Sequence, residues 1–101
     1  MDTVPGMQKI EGCDDRALVL DGNQLQALRW GAVQTQVPLT ELSPGKVFRD
    51  DKGKLLGVFG KPEDRVRIDF DRLPLAIWVP LERQSEAESF VDDVNKAIEV
   101  A

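Results

Sequence analysis

The hydrophobic period of this chain changes once, near its C-terminal end. Up to about residue 80, apolar residues come in short runs that alternate with polar ones or fill both faces. Beyond that point Ala87, Phe90, Val91, Val94, Ala97 and Ile98 fall at i, i+3, i+4, i+7, i+10 and i+11. Alternation places side chains on opposite faces of a strand, whereas the second spacing is one stripe of an α-helix. A run of strands followed by a single helix excludes the alternating α/β plan and its parallel sheet. It implies antiparallel strands with a helix packed against one side of them.

The strands are set by their punctuation. Ala17-Leu18-Val19-Leu20 runs into Asp21-Gly22-Asn23, a hairpin signal because a tight reverse turn needs residues that tolerate positive φ. Gln24 to Trp30 forms the returning strand, and Gly31 breaks it. Val33, Thr35, Val37 and Leu39 then alternate with Gln34 and Gln36, as in a half-buried antiparallel strand. Ser43-Pro44-Gly45 turns the chain into a short strand at Lys46–Arg49. Asp50 to Gly53 is a polar loop, and Leu55 to Phe59 returns. Arg65 to Phe70 alternates without a fault, with Val66, Ile68 and Phe70 on its apolar face. Leu75 to Val79 is apolar throughout, and Pro80 ends it. Seven strands are therefore expected between about Ala17 and Val79, then a helix from about Glu86 to about Glu99, with Ser85 and Glu88 as a capping box. Residues 1–16, with Pro5, Gly6 and Gly12 and no period, read as a flexible N-terminal segment in which only Met7 to Ile10 pairs weakly with a sheet edge. Residues 17–101 read as a single domain.

The expected core comprises Leu18, Leu20, Leu25, Leu28, Val33, Val37 and Leu39 from the first strands. Val58, Val66, Ile68, Phe70, Leu75, Ile77 and Val79 follow from the later ones, and Phe90, Val91, Val94 and Ile98 from the helix.

Composition narrows the chemistry. The 101 residues include no histidine and one cysteine. Histidine is the commonest general base and transition-metal ligand, and one Cys builds neither an intrachain disulfide nor a Cys-rich zinc site. No catalytic residue, metal site or cofactor is expected, and the chain reads as a non-enzyme. Cys13 reads as an unpaired thiol suited to a reducing cytoplasm. No apolar run approaches the ~20 residues of a membrane span, and the N-terminus lacks a secretory pattern.

The net charge of −5 disfavours nucleic acid, whose phosphates dominate non-specific affinity. The charge is unevenly spread. Residues 46–67 carry seven basic and four acidic groups, between two acidic flanks.

The closing segment, Leu75-Ala76-Ile77-Trp78-Val79-Pro80-Leu81 into Ser85–Ile98, resembles the end of bacterial pleckstrin-homology-like domains. The opening Val19-Leu20-Asp21-Gly22-Asn23-Gln24-Leu25 does so too. The resemblance covers roughly residues 17–100 and rests on element order. It implies a mainly β (α+β) fold: a seven-stranded antiparallel barrel of two nearly orthogonal sheets, capped by the C-terminal helix. Eukaryotic members usually carry a Trp in that helix, where this chain has Phe90, so the bacterial type is the nearer. Family members that bind phosphoinositides grip the phosphates with a basic first loop. Here that loop is Asp21-Gly22-Asn23, so phosphoinositide binding is not expected.

What remains is a protein-interaction module or small adaptor with another protein as partner. The candidate surface is the basic stripe, with Arg49, Lys54, Arg65 and Arg67, and the anchors are Trp30 and Trp78. Trp78 alternates against Leu75, Ile77 and Val79, which leaves two places for it: the outer face of its strand, or under the helix or the N-terminal segment. Two other readings stay open: an anionic-lipid binder using the 46–67 strands, and a small acidic chaperone or inhibitor. The acidic helix and basic strands also make self-association plausible. Asp69 and Asp71, two apart, read as surface carboxylates beside Arg67 and Arg72.

Overall fold

The computed structural model describes residues 7–50, 65–71 and 74–101. Within them lie seven strands: β1 (Met7–Glu11), β2 (Arg16–Asp21), β3 (Gln24–Arg29), β4 (Ala32–Pro38), β5 (Lys46–Asp50), β6 (Arg65–Asp69) and β7 (Ile77–Pro80). They are followed by one helix, α1 (Gln84–Val100). The strands form a four-stranded antiparallel sheet in the order β1-β2-β3-β4 and a three-stranded one in the order β5-β6-β7. Each strand pairs with its sequence neighbour, so each sheet is a meander. The fold is mainly β with one C-terminal helix.

Three expectations need correction. Among the described residues no strand pairing joins the two sheets, so they do not close into a barrel. Pro38 ends β4 without an N–H to donate, and a 3-10 turn at Leu39–Glu41 carries the chain away. The sheets meet elsewhere, where the Cys13 N–H donates to the Trp78 carbonyl at 2.7 Å. Second, Met7–Glu11 is not a loose lead-in. It is the outer strand of the four-stranded sheet, in register with β2 from Met7↔Asp21 to Glu11↔Ala17, and Ile10 is buried. The expected strand at Leu55 to Phe59, and with it Val58, lies outside the described residues.

Third, the helix begins earlier. A 3-10 turn at Leu81–Arg83 runs directly into α1, so Ser85 lies within the helix and caps nothing. The first turn is held instead by Arg83, whose Nε donates to Glu86 at 3.1 Å, and by Gln84, whose amide donates to Glu88 at 2.9 Å. The guanidinium of Arg83, by hydrogen bond and then by charge, holds the Glu86 carboxyl below its usual value. A depressed carboxyl gives an interaction that is complete above the ordinary carboxylate range and lost as pH falls through the lowered value. An NMR titration should therefore find the Glu86 carboxyl below the ordinary carboxylate range, and Arg83→Gln should return it to that range. Equal titration in both proteins would show that the pair does not form.

One core fills the space between the sheets and under α1. Leu18, Leu20, Leu25 and Val37 come from the first sheet, Val66, Ile68, Ile77 and Val79 from the second, and Ala87, Phe90, Val91 and Val94 from the helix. Phe70 and Leu75, on either side of the β6–β7 connection, are fully buried. Asn95 ties the helix to the chain before β5: its amide donates to the Gly45 carbonyl at 3.1 Å and its oxygen accepts the Gly45 N–H at 2.8 Å. Gly45 needs its missing side chain, because a Cβ there would overlap the Phe70 ring.

Val33 departs from the expected core, being 50% exposed. The cause is a bulge. Ala27 faces Thr35 but Leu28 faces Val33, leaving Gln34 as an extra residue in β4. The extra residue shifts the alternation, so Val33 turns to the outer face beside Leu28, itself only partly buried.

Candidate functional site

The outer face of the three-stranded sheet brings together most of the residues the sequence singled out. Register fixes the arrangement. Phe48 on β5 stands opposite Arg67 on β6, which stands opposite Trp78 on β7. Their neighbours along the strands, Val66, Ile68, Ile77 and Val79, point inward and are buried, so this row points outward. The Arg67 guanidinium lies 5.8 Å from the Phe48 ring centre and 5.7 Å from that of Trp78. Arg65, two residues earlier on the same face, lies 5.8 Å from the Trp78 ring. Cation–π attraction at such separations orients both guanidinium groups over aromatic surface.

Charge is graded along this face. Arg67 donates to Asp69 Oδ2 at 2.9 Å, while Asp69 Oδ1 accepts the Asp71 N–H at 2.8 Å. Asp69 thus accepts a hydrogen bond on each oxygen. Asp69 pairs across the strands with Lys46. A cleft of about 370 Å³ bounded by Ser43, Pro44, Lys46, Phe48, Asp69 and Asp71 continues from the row. At the other end Arg65 has neither an ion pair nor a hydrogen bond from its side chain to the described residues. The result is an aromatic band with an available guanidinium at one end and carboxylates at the other.

The remaining site residues are placed differently. Arg49 pairs with Val66 and so belongs to the face opposite Arg65 and Arg67. One face therefore does not carry all of the basic stripe. Lys54 lies outside the described residues. Trp30 is remote from the row in the register, at the β3–β4 turn. It is 70% exposed, with φ at +54° followed by Gly31 at +79°. Two successive positive φ angles in a two-residue hairpin loop make a type I′ turn, a position that favours Asn or Gly over a bulky ring. Trp30 is held there by Asp15, to whose carbonyl its backbone N–H donates at 2.8 Å and to whose carboxylate its indole N–H donates at 3.1 Å. The Arg29 guanidinium lies 4.3 Å from its ring centre. A shallow cleft of about 320 Å³ lies beside the ring, floored by Ala17 and Leu28 and edged by Lys9, Glu11 and Arg16.

Sequence reasoning missed Phe48 as a site residue. Its place beside Arg67 depends on the β5–β6 register, which residues 51–64 separate and no turn motif announces. Among the described residues no three Cys, Asp or Glu side chains converge as metal ligands would, and no helix is long and apolar enough to cross a membrane. Comparison with protein-family models, with curated proteins and with solved structures finds no match.

Proposed function

We propose that this chain is a non-catalytic protein-interaction module of pleckstrin-homology type, acting in the cytoplasm through the outer face of its three-stranded sheet. The single observation that carries the reading is the row Phe48–Arg67–Trp78. It places two aromatic rings and a stacked guanidinium on the face opposite the buried Val66, Ile68, Ile77 and Val79, with Phe48 exposed and Trp78 half-buried. Aromatic residues and Arg dominate binding hot spots, because they bury much area at little entropic cost and keep a polar handle. The division into four and three antiparallel strands with a terminal helix supports the family reading. The absence of histidine from the sequence supports a binding role over catalysis. The partner is a protein segment that places an apolar group between Phe48 and Trp78 and a carboxylate on Arg65.

Truncating a central aromatic at such a site typically costs ~2 kcal/mol or more of binding, some thirtyfold in Kd. The test is affinity capture from the native host with the wild type, Phe48→Ala and Arg65→Gln. Proteins retained by the wild type and lost from both variants, while Glu88→Gln on the helix retains them, support the reading. Equal capture by all four proteins refutes it, and loss with Glu88→Gln alone moves the site to α1. Co-sedimentation with anionic vesicles that depends on Arg65 would replace the protein partner with a lipid surface.

A further inference from the structure

Arg16 opens β2 and Arg29 closes β3, and the β2–β3 register sets them directly opposite one another. Directly opposed residues on neighbouring antiparallel strands share a face, with Cβ atoms roughly 4.5–5.5 Å apart, and like charges in that position destabilise the sheet. A carboxylate between them would remove the penalty, but neither guanidinium forms an ion pair with a described residue. Asp15, the nearest acid in sequence, gives its carboxylate to the Trp30 indole instead. The Nε of Arg29 is buried and has no hydrogen-bond partner. Both arginines line a small cavity of about 90 Å³ with Ala27, Leu28, Gln34 and Pro74.

These features concern one place. Two like charges are opposed, a guanidinium nitrogen is left unsatisfied, and a cavity lies against both. The bulge in β4 supplies the amide of Gln34 as a further lining donor. Arginine stems can cover apolar surface at a sheet end, but two glutamines would do that without opposed charges. The planar fork of a guanidinium matches two oxygens of one anion, and bonds of this kind are about twice as strong as neutral ones.

We propose that Arg16 and Arg29 form a binding site for a single oxyanion, the phosphate or carboxylate group of a small ligand. Both guanidinium groups donate to it, and Ala27, Leu28 and Pro74 form the apolar wall. Arg29 is held against the Trp30 ring, and that ring is fixed by Asp15, so the donor is oriented before the anion arrives. The site is independent of the Phe48–Arg67–Trp78 row, and either can fail without the other.

The test uses the full chain with inorganic phosphate in one arm and acetate in the other, each matched in ionic strength with chloride. The readouts are the Arg29 Nε–H and Trp30 indole N–H resonances and the melting temperature. A saturable shift of both resonances with a rise in Tm, in either arm, supports the site, and the arm that saturates identifies the oxyanion. Arg16→Gln should weaken that response at least tenfold. Without added anion the same variant should melt about 1–4 °C higher than the wild type, because the opposed charge is gone. That sign is diagnostic, since the whole chain is already acidic and removing a positive charge would otherwise disfavour folding. Arg29→Lys should keep the fold and lose the two-oxygen contact, again weakening the response. Shifts that rise linearly with salt, or that are equal in wild type and Arg16→Gln, mean an adventitious ion only and overturn the proposal. So does a lower anion-free Tm for Arg16→Gln.

Discussion

Phe70→Ala is expected to destabilise the protein by about 3–5 kcal/mol, the usual cost of removing a fully buried aromatic ring. Domains of this size have roughly 5–15 kcal/mol in total, so the variant should lose a large part of its stability and melt roughly 15–30 °C lower. The position makes collapse around the gap difficult. The ring lies where the backbone of Gly45 comes close enough to leave no room for a Cβ, and Gly45 is itself clasped by Asn95 from α1. Neither backbone can move into the void without breaking that clasp. Thermal denaturation followed by circular dichroism checks the prediction, and a fall of less than about 5 °C would show that the site repacks.

Phe90→Ala should have a comparable effect by a different route. Phe90 lies on the buried stripe of α1 with Ala87, Val91 and Val94, and the helix packs on both sheets. An isolated helix of this length is marginal in water, so its stability derives from that contact. Losing the ring is expected to cost about 3–5 kcal/mol and to loosen the helix as a unit. Hydrogen exchange separates the two variants. In Phe90→Ala the amides of α1 should lose protection before those of β2 and β3, whereas Phe70→Ala should weaken β6 and the helix together. Unchanged α1 protection in Phe90→Ala would mean that the helix docks through other residues.

The parts of this fold that were legible in the sequence had local causes. The β2–β3 hairpin follows from Asp21-Gly22-Asn23, and its two-residue loop even sets the register that opposes Arg16 to Arg29. That pair is therefore readable by counting outward from the turn. The helical stripe was readable for the same reason, since period alone separates it from the strands. The illegible parts depend on events distant in sequence. β1 carries one deeply buried residue, Ile10, and is a strand because β2 offers it an edge. The inward place expected of Val33 failed because an extra residue in a bulge leaves no trace in an alternating pattern. Ser85 matched a capping motif, yet Pro80 and the 3-10 turn started the helix before it. The outer row was half visible, since Trp78 and Arg67 alternate against apolar neighbours, but its third member, Phe48, needed a pairing between strands that residues 51–64 separate in sequence.

The bulge at Gln34 also bears on how copies of this protein treat one another. Among the described strands β4 ends its sheet with an unpaired edge, and Ala32 to Pro38 contain no charged residue. Uncharged edges of that length are templates for strand-to-strand aggregation. The segment Val33-Gln34-Thr35-Gln36-Val37 reads the same in both directions, so two copies laid antiparallel would match Val33 with Val37, Gln34 with Gln36 and Thr35 with itself. In a regular strand all of these pairs would share faces and the edges would zip. With the bulge, Val33 turns outward while Val37 stays in the core, so the valines of a symmetric pair fall on opposite faces. One additional residue thus turns a self-templating segment into a mismatched one, and it does so without a single charge.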